Sequence, residues 1–149
     1  MNYLLDTNLI SELRKAGAQQ KASKSRAARI DRGVEAWVRG VSSSDLFLSS
    51  ITILELEIGI LRLERRDPAQ GRILRFWLTD RVLPAFDGRI LPIDTAIAQR
   101  CATLHVPDPM DDRDSLIAAT ALVHGMAVVT RNVSHFERTG VRILNPWEN

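Results

Sequence analysis

Short apolar runs alternate along the chain with longer segments whose apolar residues recur at helical spacing. Tyr3-Leu4-Leu5 reads as a strand that ends at Asp6, and Asn8 to Leu13 follows with helical character. Leu46 to Ile51 reads as a second strand, and Ile53 to Arg65 carries Ile53, Leu54, Leu56, Ile58, Ile60, Leu61 and Leu63 on a broad helical face. Further helix is predicted at Ala36 to Arg39 and at Ala69 to Leu83, where Pro84 ends it. Arg89 to Ile93 is a third strand, weakened by Pro92 and closed by Asp94 before a helix over Thr95 to Leu104. After the Val106-Pro107-Asp108-Pro109 loop, Asp114 to His124 reads as a buried, alanine-rich helix with Gly125 just past its end. Met126 to Thr130 and Val141 to Leu144 supply two more strands. Strands separated by helices at this cadence predict an α/β fold with a parallel sheet of about five strands, covered by helices on both faces.

A chain of 149 residues suits one compact domain, so residues 1–149 are read as a single unit. Hydrophobic residues make up 45% and charged residues 26%, a globular composition that excludes a fibre or a disordered tail. No apolar run is long enough to span a membrane, and Asp6 interrupts the N-terminus before a signal-peptide core can develop; a cytosolic location is expected. The single cysteine, Cys101, excludes an intramolecular disulfide framework and a cysteine-rich zinc site, and reads as a small buried side chain.

The net charge of +2 is no nucleic-acid signature, but its distribution is uneven. Between Arg14 and Arg32 lie seven basic residues against one acid, Asp31. This insertion is either a mobile basic loop that touches phosphates or a solvated surface segment.

Ligand sites of open parallel sheets form beyond the C-terminal strand ends, where this reading places Asp6, Asp94 and the Thr130-Arg131-Asn132 loop. Glu55, expected in the first turn of the helix after the second strand, and Asp114, at the start of the alanine-rich helix, can face the same edge. At about 4 Å and an effective dielectric near 20, each like-charge pair costs about 4 kcal/mol. A divalent cation removes that repulsion, and oxygen ligands point to Mg²⁺ or Mn²⁺. Such an ion activates water and stabilises a leaving oxygen, so phosphodiester hydrolysis is the leading chemistry. Acids at strand ends are also ordinary helix caps, and spacing alone leaves that reading open.

Other chemistries lack their motifs. Asp108-x-x-Asp111-Asp112-x-Asp114 does not have calcium-loop spacing, and Cys101 with His105 has no second pair to complete a zinc site. Neither a phosphate-binding G-x-x-x-x-G-K nor a dinucleotide-binding G-x-G-x-x-G is present. Trp37, Trp77 and Trp147 are read as packing residues rather than base-stacking platforms.

Four blocks together resemble the PIN-domain family, and more narrowly its VapC-type toxins of the FitB-like branch. They are Leu4 to Leu13 around Asp6-Thr7-Asn8, Ser50 to Gly59 around Glu55, Asp114 to Ala121, and Val129 to Phe136, followed by Asn145-Pro146-Trp147. The resemblance covers nearly the whole chain in order and spacing. It implies a PIN-like three-layer domain and an endoribonuclease dependent on Mg²⁺ or Mn²⁺. It also implies a homodimer held inactive by a cognate VapB-like antitoxin, with DNA reached only through that antitoxin.

The family's acids fall on Asp6, Glu55 and Asp114, which the resemblance makes catalytic and metal-binding. A fourth family acid is replaced here by His135. That imidazole could coordinate Mn²⁺, hydrogen-bond a bound water, or lie on the surface, while Asp111 or Asp112 could supply the missing carboxylate. Thr7, Asn8, Thr130 and Asn132 match family positions beside the metal, where hydroxyl and amide groups can orient carboxylates or water, with turn capping as the other reading. Gly59 could allow its helix to pack closely on the sheet.

Two functions follow. One is an active toxin ribonuclease. The other is a catalytically weakened module that binds antitoxin or nucleic acid and acts in transcriptional autoregulation.

Overall fold

The computed structural model describes residues 1–19 and 29–147. Strand β1 (Tyr3–Leu5) leads into α1 (Thr7–Gln19), and α2 (Arg32–Gly40) precedes β2 (Leu46–Ser49). A helical hairpin follows, α3 (Ser50–Arg66) and α4 (Pro68–Trp77), continued by a π turn over Leu78–Val82 and a last turn α5 (Leu83–Ala85). Then come β3 (Ile90–Leu91), α6 (Thr95–Leu104), α7 (Asp112–His124), β4 (Ala127–Val129) and β5 (Ile143–Leu144). Residues 20–28 of the basic interval 14–32, including Lys21, Lys24 and Arg26, lie outside the described residues. At its described margins Glu12 joins both sides: one oxygen meets Lys15 Nζ at 3.2 Å and the other accepts the Asp31 N–H at 3.1 Å.

The five strands are all parallel in the order β3-β2-β1-β4-β5, the architecture expected from their cadence. Alternation along the strands buries both faces. Leu5 and Val129 join Leu9, Val34, Leu48, Ile60 and Leu78 on one side, whereas Leu4 and Val128 join Ile117, Ala118, Ala121 and Phe136 on the other. Small side chains let α7 lie flat on the second face, and Ile97 and Cys101 of α6 pack against its Ala119. Cys101 is buried, as its expected packing role requires. Tyr3 meets Trp37 edge to face at 5.2 Å, and Trp147 is buried in the first core.

Local capping moves several boundaries. The Ser49 hydroxyl accepts the Ile51 N–H at 3.0 Å, so β2 stops at Ser49 and the helix begins at Ser50, absorbing residues expected in the strand. Glu55 consequently sits in the second helical turn, not the first. The Asp111 carboxylate accepts the Asp114 N–H at 2.9 Å and starts α7 two residues earlier than expected. Gly125 closes that helix at φ 68°, a left-handed cap suited to glycine.

Helix α4 ends at Trp77, but helical structure runs on through Pro84 because the π turn pairs the Leu83 N–H with the Leu78 carbonyl and loosens the preceding ladder. Gly59 does not mediate close packing: a Cβ there would meet no atom within 4 Å. The close approach is at Gly71 of α4, where an added Cβ would lie 2.6 Å from Glu64 Cα. Arg75 clamps the same hairpin through Glu57 at 2.7 Å and Glu64 at 3.2 Å.

Candidate active site

From β1 the chain runs outward to β2 and β3, then returns to the opposite side of β1 as β4. The order therefore reverses between β1 and β4, and the crevice beyond their C-terminal ends is the preferred ligand position of such a sheet. Asp6 immediately follows β1 and Thr130 immediately follows β4. Both are fixed by the ladder, since Asp6 N–H donates to Val129 O and Thr130 N–H to Leu144 O, each at 3.0 Å.

Asp6 is only 6% exposed, yet its carboxylate is well supplied with donors. Oδ1 accepts the Thr7 N–H at 2.8 Å; Oδ2 accepts the Thr130 hydroxyl at 2.8 Å and the Asn8 amide at 3.5 Å. The Asp6 carbonyl also receives the Leu9 N–H at 3.0 Å, so the residue begins α1 while aiming its side chain into the crevice. Burial pushes its carboxyl above the ordinary range, against the opposing pull of Thr130, Thr7 and a charged His135.

The supporting residues form a connected polar shell. The Thr7 hydroxyl donates to Glu55 Oε1 at 2.7 Å, bringing together residues of α1 and α3. The Asn8 amide donates to Thr130 Oγ1 at 3.3 Å, its carbonyl accepts the Arg131 N–H at 3.4 Å, and Thr130 Oγ1 also accepts the Asn132 N–H at 3.0 Å. Turn capping and carboxylate orientation are thus the same set of hydrogen bonds.

Asp6, Glu55 and Asp114 line one cleft of about 490 Å³, along with Thr7, Asn8 and Asn132. Asp114 is held above the ordinary carboxylate range chiefly by burial, then by the charges of Asp111 and Asp6, with Glu55 adding to the repulsion and a charged His135 opposing it. His135 lies half exposed at the rim with Nδ1 3.2 Å from Asp114 Oδ2. Its direct partner is therefore a carboxylate, a relation that the residue's position in the chain did not disclose.

Asp112 does not join the cleft. Its side chain is 92% exposed and approaches His105 at 3.9 Å on the other side of the helix start, so the expectation of a metal-binding role there is not supported by its placement. One helical step back, Asp111 does line the cleft. Asp94 is also absent from the lining: it caps α6 by accepting the Ile97 N–H at 2.9 Å. His105 and Cys101 meet through Ser115 Oγ, at 2.9 and 3.3 Å, and staple α6 to α7 instead of forming a metal site.

Two lining residues escaped the reading of the chain, Ser11 and Arg113. Arg113 stands 3.7 Å from Glu55 Oε2. The available signal was its position: an arginine in the first turn of a helix opposes the helix dipole, so something other than the helix favours it.

Among the described residues, no three Asp, Glu, His or Cys side chains are gathered into a closed metal cage. The donor set nevertheless fits a hard divalent cation. Carboxylates around an open, wet cleft repel one another, and Mg²⁺ in particular keeps several waters and takes few protein oxygens.

A family model for the PIN domain matches residues 3–141. The chain is 39% identical to VapC ribonuclease Y4jK of Sinorhizobium fredii, over 97% of each protein. It is 32% identical to Toxin FitB of Neisseria gonorrhoeae, over 98% of this chain and 99% of that one. Among solved structures it is similar to FitAcB from Neisseria gonorrhoeae, with a TM-score of 0.81 at 32% identity over 99% of both chains. FitAB bound to an IR36 DNA fragment gives a TM-score of 0.81 at 31% identity, over 99% of this chain and 96% of that one.

Proposed function

The chain belongs to the PIN-domain family, and on that basis we propose that it is a divalent-metal-dependent endoribonuclease, the toxin of a type II toxin–antitoxin pair. The observation that carries this reading is the convergence of Asp6, Glu55 and Asp114 on one cleft at the sheet's reversal point. Similarity to VapC ribonuclease Y4jK and Toxin FitB supports the substrate class and the toxin role.

In this reading Asp6, Glu55 and Asp114 hold Mg²⁺, with Mn²⁺ as the alternative ion. When bound, the cation supplies Lewis-acid polarisation of a phosphodiester and activation of water for attack at phosphorus. The chain's own residues do the positioning. Thr130 and the Thr7 N–H fix both oxygens of Asp6, the Thr7 hydroxyl turns Glu55 toward the cleft, and Asn8 ties Asp6 to the Thr130–Asn132 loop. His135 steadies Asp114 from the rim and offsets part of the repulsion among the acids. Locking carboxylates before substrate arrives lowers the reorganisation needed at the moment of reaction.

A VapB-like antitoxin is the proposed partner, a basic segment of which suits an acidic cleft, and contact with DNA is assigned to that partner. Similarity to a FitAB structure bound to a DNA fragment supports DNA as a ligand of such a complex. No described helix is long and apolar enough to cross a membrane; the cytoplasm is the proposed site of action. Residues 1–149 act here as one domain. A homodimer fits the family; Ile73 and Phe76, each more than half exposed on α4, offer apolar surface for it.

The test is end-mapped cleavage of total bacterial RNA by the purified chain in Mg²⁺ and in Mn²⁺, beside EDTA and Asp6→Asn controls. New ends that vanish in both controls are expected. A folded protein that produces none with either ion would shift the reading to a catalytically weakened binding module.

A further inference from the structure

Glu55 has different partners on its two oxygens. Oε1 takes a short hydrogen bond from the Thr7 hydroxyl, while Oε2 faces the Arg113 guanidinium at 3.7 Å, an ion pair too long for a hydrogen bond. Arg113 is 45% exposed, borders the same cleft as Asp6 and Asp114, and has no other ion pair among the described residues. The imidazole at the rim is already engaged with Asp114. Arg113 is therefore the permanently charged donor of the cleft, with its fork partly free.

We infer that Arg113 anchors an RNA phosphate beside the carboxylates and, in the absence of substrate and metal, serves as the counter-ion of Glu55. The inference rests on the ribonuclease reading. A guanidinium presents paired N–H donors that match a phosphate's oxygens, whereas its present grip on Glu55 is loose. A divalent cation drawn to Glu55 competes with that grip from the cleft side, leaving the guanidinium available to an incoming phosphodiester. Arg113 and metal are thus antagonists at Glu55, and Arg113 and RNA are partners.

These roles move two measurements in opposite directions. Removing Arg113 strengthens metal binding, because a competing cation is gone, and weakens RNA binding, because a phosphate contact is gone. A merely structural arginine would weaken both or neither.

Wild type, Arg113→Gln and Arg113→Lys are titrated with Mn²⁺ by calorimetry, and with a short fluorescent single-stranded RNA in Ca²⁺ over a range of salt. Melting temperatures verify that all three fold. For Arg113→Gln the Kd for Mn²⁺ should fall about threefold, the size of a partly exposed ion pair. The slope of log affinity against log salt should shrink by about 0.7, one single-strand phosphate. Arg113→Lys should retain the slope. An unchanged or weaker Mn²⁺ affinity, or an undiminished slope, in Arg113→Gln overturns the assignment while leaving the ribonuclease reading intact if wild type still binds and cleaves. Wild type that binds no RNA defeats both.

Discussion

Asp6 and Thr130, 124 residues apart in the chain, share a buried 2.8 Å hydrogen bond in which the hydroxyl donates to carboxylate Oδ2. The pairing of Leu5 with Val129 across β1 and β4 puts the next residue of each strand side by side at the sheet edge. Thr130 also accepts N–H groups from Asn8 and Asn132, so one hydroxyl ties the 6–8 stretch to the 130–132 loop. Thr130→Val keeps the shape and removes these bonds; it should cost about 1–3 kcal/mol in urea unfolding and reduce RNA cleavage, whereas Thr130→Ser should retain most of both.

The buried Asp6 carboxyl binds its proton more tightly in the folded state than in the unfolded chain. From its ordinary value of 3.8 up to the raised value, the folded protein therefore holds more protons, and stability falls as pH rises. In EDTA, once the pH is above the raised value, that penalty is complete. Asp6→Asn should then melt above wild type, by about 2–4 °C for each kcal/mol recovered, and the gap should close as pH is lowered toward 3.8. A gap that widens at acid pH would contradict burial as the dominant influence on Asp6.

Metal should reverse that order. A ligand that binds only the folded state at about 100 times its Kd adds about 2.7 kcal/mol. Mg²⁺ should raise the melting temperature of wild type and leave Asp6→Asn and Asp114→Asn nearly unmoved, with EDTA restoring the starting value. Equal shifts in all three proteins would place the ion elsewhere.

The two glycines of the helical hairpin should respond oppositely to alanine. Gly59 has open space around its missing Cβ, so Gly59→Ala should stabilise by about 0.5–1 kcal/mol through helix propensity. At Gly71 the new methyl would strike the Glu64 backbone, and Gly71→Ala should destabilise by about 1–3 kcal/mol. Denaturant midpoints of the two variants decide both.

Helix α6 and the Gly125 cap were legible residue by residue, because apolar spacing and glycine's tolerance of positive φ act locally. The start of α3 was not. Ser50-Ile51 looks like strand, and only the Ser49 cap makes it helix. Asp111 and Asp112 are equally acidic neighbours, and which one faces the cleft depends on the rotation of α7 after its cap has formed.

The order of elements, the burial of both sheet faces and the acids Asp6, Glu55 and Asp114 could all be read from the chain, since periodicity and motif spacing are properties of sequence. Tertiary structure alone decided the pairings: Thr130 on Asp6, Thr7 on Glu55, His135 on Asp114 and Arg113 on Glu55. Each joins residues from different elements. Their meeting depends on strand order and helix rotation, which are set by packing across the whole core rather than by any local stretch.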